Sequence, residues 1–428
     1  MKHYALLIFT VIIAACTSEK NSTTDADSNV SSSGIIDTRA KQRIDSTLNS
    51  FVEAGNIAGV SALVFEKNEE VYFNAFGYQD REDSIPFRRN TIVQIFSMTK
   101  PITGVALMTL YEEGKFELDD PVSKYAPEFD NMQVYLGVDS SGKMMLEPAN
   151  RPVTIRDFTR HTAGVTYNSD LPMLGNLISQ ASPLNPKNTL KEMAEKLSGL
   201  PLLFHPGEKW EYGISVDVQA YLVELISGKP FDQYVREKIL APLEMNQTRY
   251  YVPETDRSRL SAVYYRIGEG KLDRRPDEEA LSFNTNKQAL TPGGHGLTAT
   301  IDDYMKFARM LVNEGTLDET TILKPETVKL MATNQLADSV EERSWLPGKG
   351  QVGFGIDFAV RVRPPADANE NNGVVGEFFW DGAASTLFWV DPVNELTAVL
   401  FVQLFPYDQI GLHKKFRDAV YGPYKGNQ

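Results

Sequence analysis

An α+β fold is predicted for this chain: an antiparallel sheet flanked by helices, with a mainly helical region inserted to one side. Three observations predict it. β-rich runs lie near both ends, in "GVSALVFEKNEEVYFNAFGY" and in "GEFFWDGAASTLFWVDPVNELTAVLFVQL". The block between them, 126–286, has a different texture, with helical stretches broken by Pro- and Gly-rich loops. A single apolar segment from Ile102 to Leu110 reads as a helix buried on nearly every face. Strands from both ends can share one sheet if the middle block stands aside, and a cleft then forms between the two parts.

The elements follow in chain order. Lys2 and His3 lead an apolar run, Tyr4 to Ala15, that ends at Ile13-Ala14-Ala15-Cys16. A basic start, a short apolar core and small residues read as a secretory signal, too short to span a bilayer stably. The small residues ahead of Cys16 resemble the lipobox of bacterial lipoproteins. That resemblance implies lipidation of Cys16 and an exported protein anchored by its N-terminus, in the periplasm or on the outer-membrane face. The alternative is an ordinary signal peptide that discards Cys16. Cys16 is the only cysteine, so no intrachain disulfide is possible. Residues 17–36 are rich in Ser, Thr, Asp and Asn and read as a flexible linker. The remainder, 37–428, reads as one domain, with 37–125 and 287–428 forming the α/β part and 126–286 the helical insertion. The net charge of −14 argues against nucleic acid or anionic lipid as partners.

"DTRAKQRIDSTLNSFVEAGN" carries apolar residues at helical spacing and stops at Gly55. Two β-rich runs follow, joined across Lys67-Asn68-Glu69-Glu70 as a hairpin. At the other end, the last two strands join across Asp391-Pro392-Val393-Asn394, and an amphipathic helix runs from about Asp408 to Val420.

"IFSMTKPITGVALMTLYEEGK" sets Ser97 and Lys100 at the mouth of the apolar helix. Ser97 is a good N-cap type, Pro101 is tolerable in the first turn, and Gly114 supplies the stop. Positions three apart share a helix face, so the Lys100 amine is expected near the Ser97 hydroxyl. Burial lowers a lysine's pKa and lets it accept the serine proton. A capped helix with a snorkelling lysine satisfies the same residues. Ser-x-x-Lys also occurs at Ser140 to Lys143, in a polar stretch that reads as a solvated turn.

"FSMTKPITGVALMTLYEEGKFELDDPVSKYAPEF" resembles the first motif of the serine β-lactamase and penicillin-binding protein superfamily, closest to its family VIII carboxylesterases and class C-like members. "TIRDFTRHTAGV", "FHPGEKWEYGISVDVQAYLVELISGKPFDQYVREKILAPLEM", "GGHGLTATIDDYMKFARML" and "FFWDGAASTLFWVDP" match later segments in order. The resemblance implies a β-lactamase/transpeptidase-like fold and acyl transfer through a serine. It assigns Ser97 as nucleophile, Lys100 as its partner and Tyr212 as the residue that takes and returns protons. A phenol close to an ammonium has its ionised form stabilised. The resemblance also implies an oxyanion hole from the backbone N–H groups of Ser97 and Ala383.

Two departures matter. The usual Tyr-x-Asn has Ile214 in third place, with a hydroxyl one later at Ser215. The Lys-Thr-Gly of β-lactamases, whose lysine helps hold a substrate carboxylate, reads Trp380-Asp381-Gly382 here. Gly382 suits a strand edge that lets substrate approach the backbone. Asp381 either repels a substrate carboxylate or turns outward as a polar surface residue. Trp380, Asp381, Gly382, Ser215 and His295 are the candidate substrate-binding residues. The reading is a carboxylesterase on small uncharged or cationic acyl esters or amides. A D-alanyl-D-alanine peptidase or class C-like β-lactamase is the nearest alternative, and a catalytically silent binder of cell-wall fragments is one from another class. No Gly-x-Ser-x-Gly elbow appears, His161 reads as structural, and no histidine pair has metal-ligand spacing, so neither metal nor cofactor is expected.

Overall fold

The computed structural model describes Met1 and residues 34–426, apart from Asn168 and Ser169. Cys16, nearly all of the segment expected to be a signal and most of the expected linker lie outside the described residues. The linker's last three positions do not. Ile35 and Ile36 donate their backbone N–H groups to the Glu66 carboxylate at 2.6 and 3.3 Å, and Ile36 is buried. The compact unit that contains the sheet includes Gly34, three residues before the boundary that composition suggests.

Asp37 caps helix α1 (Thr38–Glu53), whose Ala40, Ile44 and Leu48 are buried. Strands β1 (Gly59–Glu66) and β2 (Glu69–Asp80) form the expected hairpin through a tighter turn, Lys67 and Asn68, both at positive φ. Positive φ at both central residues matches the right-handed strand twist. A short β3 (Ile85–Pro86) edges the sheet. Helix α2 (Thr99–Glu112) is buried along its whole length from Thr99 to Leu110. Helix α3 (Ser215–Ser227) packs on α2, and α4 (Ile301–Val312) packs on the sheet.

Strands β4 (Val352–Phe354), β5 (Ala359–Arg361), β6 (Phe378–Asp381), β7 (Leu387–Asp391) and β8 (Leu396–Phe401) complete an eight-stranded sheet of order β4-β5-β6-β7-β8-β1-β2-β3. The β8–β1 pairing, Ser61 opposite Phe401, is antiparallel and joins the two ends of the chain. Strands β6 to β8 are buried on both faces, which is why they read as continuous apolar runs. Helix α5 (Leu412–Tyr421) pairs with α1. The fold is the predicted α+β, β-lactamase/transpeptidase-like one.

The middle block is less helical than its texture suggests. Gln133–Val138 pairs with Met144–Pro148, placing the second Ser-x-x-Lys in an exposed hairpin turn. Tyr264–Gly268 and Lys271–Arg274 form a second strand pair, and Leu404–Phe405 joins it. That small sheet ties the end of the middle block to the segment after β8.

Candidate active site

The sheet and α2 deliver the first group. Ser97 is not the N-cap of α2. It lies in a 3₁₀ turn, Phe96–Met98, and the cap position is Met98, which has no side-chain capping bond. Its hydroxyl is thereby left free of a capping duty. Phe96 stands at φ 45°, and the Met98 carbonyl accepts from the buried Tyr304 hydroxyl of α4 at 2.8 Å. A constrained turn anchored from a second helix presents the hydroxyl.

Lys100 is fully buried, with its Nζ 3.2 Å from Ser97 Oγ and donating to the Gly294 carbonyl at 2.7 Å. The ammonium also lies 4.6 Å from the Tyr212 ring centroid. Burial pushes its pKa down to about 8, against the upward pull of Asp217, Asp357 and Asp381. Tyr212 behaves oppositely to the expectation of a stabilised phenolate. Burial drives its pKa up, and the Ser97 hydroxyl and Trp380 indole only partly offset this. At neutral pH Tyr212 is a phenol that can donate, and Lys100 is the group that reaches its basic form first.

The glycine loop holds the amine from behind. Asp217 accepts from the Gly294 N–H at 2.9 Å, and the carbonyl of that same glycine accepts from Lys100. A Cβ on Gly294 would meet Asp217 Oδ2 at 2.8 Å and Tyr167 Oη at 2.9 Å, so the close approach requires glycine. Burial raises Asp217 to about 6, with Lys100 and the Gly294 N–H pulling it down. Asp357, at φ 60°, accepts from Gln219 at 3.0 Å, and burial pushes it well above the carboxylate range. Asp217 and Asp357 went unrecognised in the sequence. The only local hint was Asp217, set between Val216 and Val218 in the first turn of α3.

Ser97, Tyr212, Trp380, Asp381 and Ala383 line one cavity of about 570 Å³. Ala383 sits in the turn after β6, closed by Gly382 N–H to the Thr386 carbonyl at 2.9 Å. Gly382 is required for a different reason from the one expected. A Cβ there would meet the Ile95 carbonyl oxygen at 2.5 Å and also the Thr386 hydroxyl. The protein's own backbone, not a substrate, occupies that approach. Asp381 does not turn outward. It is buried, paired with Lys349, and accepts from the Tyr407 hydroxyl at 2.7 Å.

Ser215 is buried at the start of α3 and lies outside this cavity's lining. Its hydroxyl is buried without a hydrogen-bond partner, and the cap position of the helix is Ile214. His295 also lies outside the lining, with its ring 5.5 Å from that of Phe283. Burial and Lys100 lower its pKa to about 4, so it is neutral. His161 packs 4.9 Å from the Tyr212 ring, and its Nδ1 accepts from the Gly213 N–H at 3.4 Å. Among the described residues, no cluster of three or more His, Cys, Asp or Glu is placed to hold a metal ion.

A buried amine beside a serine hydroxyl, with a phenol over the same cavity, is the arrangement of a serine-dependent acyl-transfer enzyme. The Beta-lactamase family model matches residues 44–421, and the chain belongs to that family. An uncharacterised protein of Mycobacterium tuberculosis is 33% identical over 360 residues, covering 83% of this chain and 88% of its own. Esterase EstB of Burkholderia gladioli is 28% identical over 403 residues, covering 89% of this chain and 94% of its own. Among solved structures, the hydrolase EstCE1, described as having promiscuous acyltransferase activity, superposes with a TM-score of 0.74 at 25% identity. It covers 91% of this chain and 100% of its own. The chain is thus a serine hydrolase of β-lactamase type, with esterase and acyltransferase relatives.

Proposed function

We propose that the protein is a carboxylesterase that forms an acyl-enzyme at Ser97, acting on small uncharged acyl esters. The observation that carries this is a buried amine, neutral above about pH 8, held 3.2 Å from a hydroxyl that faces the cavity. Lys100 takes the Ser97 proton as Oγ attacks the ester carbonyl. The oxyanion gathers on the backbone N–H groups of Ser97 and Ala383, each worth about 3 kcal/mol in such sites. Tyr212 gives its proton to the departing alkoxide and is reprotonated from Lys100, so the alcohol leaves and the acyl group stays on Ser97. Water then retraces the path, losing its proton through the same groups and releasing the carboxylic acid.

EstB and EstCE1 support an ester substrate. A peptidase or β-lactamase reading needs a cation free to hold the substrate carboxylate, and the cavity's Lys349 is already paired with Asp381. Purified protein is expected to cleave p-nitrophenyl butyrate faster than nitrocefin, with ester activity lost in Ser97→Ala. Stoichiometric acylation of Ser97 by penicillin, with slow ester turnover, would favour the peptidase reading. Failure of a fluorophosphonate probe to label Ser97 would favour a silent binder. The sequence around Cys16 supports export and N-terminal lipid anchoring, which mass spectrometry of the native N-terminal peptide tests.

A further inference from the structure

The cavity contains an ion pair that the acyl-transfer steps do not use. Lys349 and Asp381 approach from separate segments, a 3₁₀ turn at Leu346–Lys349 and the end of β6, and their side chains are only 8% and 10% exposed. The Tyr407 hydroxyl lies 2.7 Å from Lys349 Nζ and donates to the same Asp381 oxygen at 2.7 Å. The ammonium sits among the rings of Trp345, Trp380 and Tyr407, at 5.2, 5.3 and 4.8 Å from their centroids. All of these groups line the cavity that contains Ser97. Asp408 also lines it and faces the His413 ring, 3.7 Å from Nδ1.

We propose that Lys349 and Tyr407 form a carboxylate-binding subsite that the protein keeps filled with its own Asp381, so that the cavity admits uncharged acyl groups and refuses anionic ones. An ammonium and a phenol converging on one oxygen between aromatic rings is how a ligand carboxylate would be held. Asp381 occupies that place from within the chain. A substrate carboxylate entering the native cavity finds Lys349, the one cation among the described lining residues, already paired, and meets the carboxylates of Asp381 and Asp408. Removing one member of a buried pair leaves the other uncompensated, and such a charge recruits a replacement. With Asp381 gone, the replacement is a carboxylate carried in by the acyl group.

This inference rests on the esterase reading for its substrate assay, and a binding assay separates the two. The kcat/KM of p-nitrophenyl hemisuccinate is measured relative to p-nitrophenyl butyrate in wild type, Asp381→Ala, and Asp381→Ala combined with Lys349→Met. The ratio is expected to rise at least tenfold in Asp381→Ala and to return to the wild-type value or below in the double variant. Asp381→Asn, closer in shape, is expected to move the ratio the same way and covers a failure of the alanine variant to fold. Independently, glutarate is expected to change the Trp345 and Trp380 fluorescence of Asp381→Ala at concentrations that leave wild type unaffected. An unchanged or lower ratio in folded Asp381 variants, or a rise that survives loss of Lys349, overturns the subsite. If no variant hydrolyses either ester while glutarate still binds only Asp381→Ala, the esterase reading fails and the subsite stands.

Discussion

Replacing Asp217 by Asn tests the electrostatic core of the site. Asn can still accept from the Gly294 N–H, now 2.9 Å from Asp217 Oδ1, so the loop keeps its hydrogen bond. What disappears is a negative charge. Only the Gly294 residue separates that carboxylate from Lys100 Nζ, which donates to the Gly294 carbonyl at 2.7 Å. With a span of about 3 Å inside the residue, the charges lie no more than roughly 9 Å apart. At an effective dielectric of about 20, this is worth about 2 kcal/mol, a little over one pKa unit. Asp217 holds the Lys100 pKa up, so its loss lowers it further below about 8.

The active form carries the neutral amine, so kcat/KM rises as pH rises through the Lys100 pKa and levels off above it. The wild-type midpoint is expected near pH 8. The Asp217→Asn midpoint is expected about one pH unit lower, which lifts the neutral fraction at pH 7 from about a tenth to about half. The other groups facing the amine are Asp357 on the loop before β5, Asp381 on β6, the neutral His161 and His295, and the phenols of Tyr167 and Tyr212, whose ring centroids lie 5.5 and 4.6 Å away. None of them is altered by the substitution. The assay is the initial rate of p-nitrophenyl butyrate hydrolysis below KM, from pH 5.5 to 10, corrected for spontaneous hydrolysis and normalised to each enzyme's own plateau. A midpoint that stays put or moves upward would refute Lys100 as the titrating base.

Three further outcomes are expected. Ser97→Ala loses ester turnover by at least about a thousandfold while thermal unfolding changes little, since the Ser97 hydroxyl caps no helix. Asp157→Ala is expected to cost about 2–3 kcal/mol in urea unfolding, because the buried carboxylate holds the partly exposed Arg151 at 2.6 Å, Arg160 at 3.3 Å and the Thr154 N–H at 3.0 Å. Burial raises the Asp157 pKa, but Arg151 and Thr154 together hold it below the usual value, so its stabilisation is present above the ordinary carboxylate range and fades as pH falls through the folded pKa. Gly382→Ala is expected to destabilise by about 1–3 kcal/mol through overpacking against the Ile95 carbonyl and to lower kcat more than it raises KM. Circular dichroism melts beside the ester assay check both effects.

Much of the fold could be read from hydrophobic pattern because the central elements are buried on all sides. Every residue of α2 from Thr99 to Leu110 is buried, and so is every residue of β7 and β8. Continuous apolar runs leave few other arrangements open. The strand pairs at 133–148 and 264–274 were missed for the opposite reason. Residues such as Leu136, Val138 and Ile267 are exposed, so alternation there carries little burial signal.

The local sequence determined by itself that a serine and a lysine would share one turn at the mouth of a buried helix, since three-residue spacing is a property of the helix alone. Tertiary structure decided what those groups are chemically. The Lys100 pKa is set by burial, partly opposed by Asp217 and Asp357, more than a hundred positions away in sequence, and Asp381 is met by Lys349 and Tyr407 from other segments. The same is true of Gly382, whose missing side chain answers to the Ile95 carbonyl. Charge and contact energies act through space and depend on burial, and neither quantity is written in the residues adjacent along the chain.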